Sequence, residues 1–126
     1  MKIELRDGLL FTSIEINYMG KSKIIDNIVI DTGAAQSLIS QDIVDDIGIK
    51  VSSDDDIVVS YGIGGKEFAF VKKVDSIKID NFSINNFPLD FTSFQYDDIN
   101  GLLGLDLLIK AGFIINLKSL EMYINK

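Results

Sequence analysis

Asp31 stands where an apolar run meets a glycine turn. Ile28-Val29-Ile30 leads into Asp31-Thr32-Gly33, and after Ala34-Ala35-Gln36-Ser37 a second apolar pair, Leu38-Ile39, begins. A buried strand ending on a tight Gly turn would hold the carboxylate rigidly, which acid–base chemistry requires. An Asp at a strand end is also an ordinary turn former, so these residues alone leave both readings open. Two further stretches add weight. One is Tyr61-Gly62-Ile63-Gly64-Gly65, a three-glycine tip between apolar runs. The other is Asn100-Gly101-Leu102-Leu103-Gly104-Leu105-Asp106. By itself, the glycine tip reads as a simple hairpin.

The residue inventory narrows the chemistry. The 126 residues include no Cys and no His, which removes disulfides, thiolates, imidazole bases and the usual zinc sites. What is left is carboxylates, hydroxyls, lysines and backbone groups. Peptide hydrolysis by carboxylates needs two of them sharing one proton. One acts as general base on a water, and the other, protonated, polarises the scissile carbonyl. Like charges about 3 Å apart cannot both ionise, so their pKa values split and belong to the pair. This chain has one Asp-Thr-Gly. The second carboxylate is then another Asp31 across a two-fold axis. Asp54-Asp55-Asp56 and Asp97-Asp98 are the competing acidic clusters. Their spacing does not match an EF-hand loop, and they read as solvated loops.

The elements that must place Asp31 are mostly strands. Ile appears 21 times, Val 7 times and Pro once, an excess of β-branched residues. Strands are expected at Lys2 to Leu5, Leu9 to Tyr18 and Lys23 to Ile30, with turns at Asp7-Gly8 and Met19 to Ser22. Ser40 to Gly48 has a helix grammar: Ser40 as N-cap, Asp42 in the first turn, Gly48 at the end. Ile57 to Tyr61 and Lys66 to Val74 flank the glycine tip. Ser76 to Ile84 and Phe87 to Phe91 read as further strands, with Asp80-Asn81 as a turn or bulge, and Thr92 to Asn100 as a loop. Gly101 to Gly104 reads as a buried strand end, Asp106 to Ala111 as a short helix closed by Gly112. Phe113 to Leu117 and Glu121 to Ile124 form a last hairpin. The expectation is one domain over residues 1–126, mostly β with two short helices.

The formal charge of -7 disfavours nucleic acid and anionic membrane surfaces as partners. Met1 to Arg6 lacks the apolar core of a signal peptide, and no run approaches a membrane span, so a cytoplasmic location is the default expectation.

In order and spacing, the three stretches together resemble the retropepsins, single-domain homodimeric aspartic peptidases. The resemblance covers about Leu9 to Ile124. It implies an all-β, closed barrel-like acid protease fold, with Asp31 catalytic, Thr32 bracing the paired loops across the dimer and Gly33 permitting the turn. Ala34 occupies the family's small-residue position. Ser60 to Lys66 aligns with the family's flap, so Ala34, Tyr61, Gly62, Ile63, Gly64, Gly65 and Leu103 are the implied substrate-binding residues. Asp106 falls where the family has a structural acid or amide. The implied activity is cleavage of extended peptides or proteins by a homodimer, with no cofactor and no metal. The acidic loop, the segment Thr92 to Asn100 and the tail Lys118 to Lys126 depart from a minimal viral enzyme and point to cellular or bacterial members. A non-catalytic peptide-binding or dimerisation module with the same fold is the alternative.

Overall fold

The computed structural model describes residues 1–62, 65–93 and 98–125, with backbone alone at residues 60–62, 65 and 67. Its strands are β1 (Glu4–Arg6), β2 (Leu9–Tyr18), β3 (Lys21–Ile30), β4 (Leu38–Ser40), β5 (Ile57–Gly62), β6 (Gly65–Ile79), β7 (Phe82–Thr92), β8 (Gly101–Leu103), β9 (Phe113–Asn116) and β10 (Glu121–Ile124). Two short helices interrupt them, α1 (Gln41–Val44) and α2 (Leu105–Ala111).

Eight strands join in the order β1-β2-β3-β8-β4-β7-β6-β5, and an extra pairing of β2 with β6 closes the inner six into a barrel. Alternation along each strand fixes which side chains enter it. Ile14, Ile16, Ile25, Ile28, Ile39, Ile77, Leu89, Phe91 and Leu103 belong to the main core. The neighbouring residues Phe11, Val29, Leu38, Ala69 and Leu102 form a second, smaller cluster with Ala34. This is the mostly β, closed barrel-like architecture that the sequence implied.

The site depends on one local arrangement. β8 lies between β3 and β4, parallel to the first and antiparallel to the second. The segment joining β3 to β4 carries Asp31 and must therefore arch over the end of β8. Close approach there demands glycine. A Cβ on Gly101 would meet Leu38 O at 2.6 Å, and one on Gly104 would meet Ala34 O at 2.7 Å.

Three expectations need correction. The helix over Ser40 to Gly48 is broken. Ser40 belongs to β4, its N–H donates to Asn100 O at 2.9 Å, and its side chain caps nothing. After Val44, at φ -109°, only a single 3-10 turn, Asp45–Ile47, follows before Gly48. Ser40 thus stands at the N-cap of α1 in an extended conformation, but without a side-chain cap bond.

The separate strands over Lys66 to Val74, Ser76 to Ile84 and Phe87 to Phe91 are instead two long ones, β6 and β7, in one antiparallel register from Phe70↔Phe91 to Ile79↔Phe82, interrupted at Asp75 and Asn86, where Asn86 has φ 52°. Asp80-Asn81 is the turn between them, with Asp80 at φ 52°. The polar interruptions along both strands face solvent, so they do not end the ladder.

The third correction concerns the termini. The first strand expectation, Lys2 to Leu5, becomes β1 plus an isolated bridge between Lys2 and Glu121. Ile3 N–H donates to Leu120 O and Met122 N–H to Met1 O, which ties the N-terminus to the last hairpin.

Candidate active site

The Asp31 loop is held from three sides by backbone. Asp31 N–H donates to Leu103 O at 2.9 Å, extending the β3–β8 ladder by one bond. Ala34 N–H donates back to Asp31 O at 3.1 Å, closing the turn. Leu105 and Asp106 N–H groups then donate to Ala34 O and Ala35 O at 2.8 and 3.1 Å. The first turn of α2 leaves those donors without intrahelical partners, so the loop receives bonds that the helix cannot use itself.

Within this frame the Gly33 N–H donates to Asp31 Oδ1 at 2.9 Å. A backbone donor on a carboxylate oxygen fixes its rotamer. Asp31 is partly exposed and Thr32 and Gly33 are exposed, while Ala34 is fully buried. An accessible, oriented carboxylate is what a base acting on water requires.

Asp106 does a different job. Its Oδ1 accepts the Ser37 N–H at 2.9 Å, the Ser37 hydroxyl at 2.6 Å and the Leu107 N–H at 2.8 Å. Ser37 Oγ in turn accepts the buried Gly104 N–H at 2.9 Å. Asp106 is thus a brace between α2 and the end of the Asp31 loop. Ser37 was missed in the sequence, because a lone Ser after a turn carries no signal until its partner is known.

The remaining expected site residues fall in two groups. β5 and β6 form the expected hairpin, with Tyr61 opposite Lys66 and Gly62 opposite Gly65. Ile63 and Gly64, and the side chains of residues 60–62, 65 and 67, lie outside the described residues, as does Asp97. Leu103 pairs with Ile30 and is fully buried in the main core, whereas Ala34 belongs to the second cluster, so the Leu103 side chain faces away from Ala34. Leu102 is the residue on the Ala34 side, a difference of one position that the two-residue strand period makes decisive.

Among the described residues no three acidic side chains gather as a metal site. Asp55 of the acidic loop is engaged by Lys72 at 2.8 Å and accepts the Ser52 N–H at 2.8 Å. The Lys72 contact first, then the Ser52 amide, hold its carboxyl below the ordinary value.

The profile of a family described as aspartyl protease matches residues 13–107, which span the Asp31 loop, the β5–β6 hairpin and the Gly104 crossing. The chain belongs to the aspartyl protease family. A retropepsin-like aspartic protease from Rickettsia conorii is similar in structure, with a TM-score of 0.63 over 92% of this chain and 81% of that one, at 20% sequence identity. No curated protein matches the sequence. In this chain Asp31-Thr32-Gly33 follows the end of β3, beside the glycine-bearing β8. Among the described residues no helix is long and apolar enough to cross a membrane.

Proposed function

We propose that residues 1–126 act as a single-domain aspartic endopeptidase whose active site forms when two copies of the chain place their Asp31 carboxylates together. One Asp31 takes a proton from a water, which attacks the scissile carbonyl. The other donates its proton to the carbonyl oxygen, and the pair later returns a proton to the leaving nitrogen. The observation that carries this reading is the Asp31 loop itself, a partly exposed carboxylate fixed by the Gly33 amide on a loop bonded to both β8 and α2.

An extended peptide would lie between the carboxylate pair and the β5–β6 hairpin. Tyr61, Gly62, Ile63, Gly64 and Gly65 would form a flap above it, and the fully buried Ala34 would support the floor from beneath. Main-chain pairing would give affinity and apolar pockets would select side chains. Leu103 is assigned here to support, through the carbonyl that receives the Asp31 N–H. Thr32 is assigned to bracing between the two loops, and Gly33 to the turn.

The dimer has a candidate face. β9 pairs only with β10, so among the described residues its outer edge carries no partner strand. The N-terminal residues occupy the far side of β10, which leaves β9 as the open edge of that small sheet.

The test is cleavage of a diverse peptide library at about pH 4 to 7 by the wild type and by Asp31→Asn, with and without pepstatin. Loss of cleavage on the order of 10³-fold in the variant, with the fold intact, supports the peptidase. The activity profile should be bell-shaped and weighted to acid pH. Undiminished cleavage by Asp31→Asn would sink the mechanism. A folded dimer that cleaves nothing would favour a peptide-binding module.

A further inference from the structure

One row of side chains crosses five strands of the barrel wall. Pairing registers set Val29 beside Leu102, Leu102 beside Leu38, Leu38 beside Asp90, and Asp90 beside Val71. Four of the five are apolar. The fourth place holds an acid, 8% exposed, on the face that carries the Asp31 loop. Asp90 is the one charged residue of β7. Among the described residues its carboxylate accepts no hydrogen bond and makes no ion pair.

A buried acid without donors favours its protonated form. β6 carries Lys72, tied to Asp55 at 2.8 Å, and Lys73; α2 carries Asp106 and Lys110; β4 has no charged side chain. Of these, Asp106 alone acts electrostatically on Asp90, and it has the same sign. Burial first, then Asp106, raise Asp90 to about 6. Asp106 accepts three hydrogen bonds on Oδ1, whereas among the described residues Asp90 accepts none, so Asp90 is the member whose protonated form is favoured. For packing alone, an aliphatic residue would suit this row better than an acid.

We propose that Asp90 is a positioning residue, which in its protonated form leaves the Asp106–Ser37 brace undisturbed and in its ionised form repels Asp106 and loosens the loop that carries Asp31. The path is short. Asp90 neighbours Leu38, Ser37 precedes Leu38, and Ser37 bonds both Asp106 and Gly104. The device would make an acid-favoured loop geometry a property of each single chain, separate from any proton shared between two Asp31 side chains. Its effect on catalysis rests on the peptidase reading; the coupling between Asp90 and the brace does not.

The experiment is an NMR titration of the full chain, following side-chain carboxyl carbons together with the amides of Ser37, Gly104 and Gly33. Asp90 should titrate near pH 6, with the Ser37 and Gly104 amides moving at the same midpoint. Asp90→Asn should abolish that amide transition, Asp90→Glu should restore it, and Asp106→Asn should lower the Asp90 midpoint. A midpoint for Asp90 in the ordinary carboxylate range, or a Ser37 transition that persists in Asp90→Asn, overturns the proposal. If Asp90→Asn does not fold, Asp106→Asn decides it, because an unmoved Asp90 midpoint there is equally fatal. In an active enzyme the limb of kcat near pH 6 should shift in Asp90→Asn while KM holds. An inactive wild type would refute the peptidase and leave the amide titrations to judge the coupling.

Discussion

Ser37 meets the Asp106 carboxylate twice, through its amide at 2.9 Å and its hydroxyl at 2.6 Å. It also accepts the Gly104 N–H with that same hydroxyl oxygen, so one buried side chain ties α2, the end of β8 and the Asp31 loop together. Ser37→Ala would leave a buried amide without an acceptor and a carboxylate short of one donor. The expected cost is about 1–3 kcal/mol, read as a lower midpoint in denaturant unfolding with an unchanged slope. An unchanged midpoint would mean that water replaces the hydroxyl freely.

Gly104 and Gly33 should respond differently to the same substitution. An added Cβ at Gly104 would lie 2.7 Å from Ala34 O and 2.8 Å from Gln36 O, both backbone atoms of the loop that must stay in place. At Gly33 the nearest atom is Asp31 Oδ1 at 3.2 Å, the end of a side chain. Gly104→Ala is therefore expected to destabilise by about 1–3 kcal/mol or more, and Gly33→Ala by clearly less while disturbing the Asp31 rotamer. Thermal unfolding of the two variants, side by side, checks the order.

These two contacts show what was readable in the sequence. The Asp31 turn and the glycines at 101 and 104 were readable because each needs a residue type that tolerates little replacement, whereas Asp106 was readable as a brace only through the family resemblance. Leu103 could not be oriented, since a strand reading that slips by one position reverses its face. Ser40 does stand at the N-cap of α1, but its side chain makes no cap bond and the helix is only Gln41–Val44; its backbone meets Asn100 and Thr92, partners that lie far along the chain. Asp90 left a trace that went unread, a single charge inside Phe87-Pro88-Leu89-Asp90-Phe91. The brace partner Ser37 left none.

Asp90 also predicts a stability profile. Its folded value, about 6, lies above the ordinary 3.8, so between those values the folded chain binds more protons than the unfolded one. Stability from this group is then greatest below about pH 4, falls as pH rises through 6, and is flat above. Asp90→Asn should remove that slope and raise stability at pH 7 by on the order of 2 kcal/mol. Asp46, lowered first by its hydrogen bond from Lys23, and Asp55, lowered first by that from Lys72, act in the opposite sense. Their contributions are present above the ordinary value and are lost as pH falls below it. Chemical denaturation from pH 3 to 8 should show a maximum between these two regimes in the wild type. In Asp90→Asn that maximum should broaden toward neutral pH.

Assembly is the last point at which charge decides an outcome. Two chains of formal charge -7 repel at neutral pH, and in the proposed dimer pairing through the open edge of β9 would have to overcome that repulsion. Added salt shortens the screening length from about 30 Å at 0.01 M to about 3 Å at 1 M, so it should tighten the dimer. Protonation of carboxylates near pH 5 should act in the same direction. Ile114, 38% exposed on β9, offers a direct probe. In an isologous edge-to-edge pair, Ile114→Lys introduces two like charges close to the axis, which opposes association without touching the barrel core. Sedimentation velocity over a concentration series should show the wild type dimerising more tightly with salt and Ile114→Lys remaining monomeric under the same conditions. A variant that dimerises as well as the wild type would place the interface elsewhere on the chain.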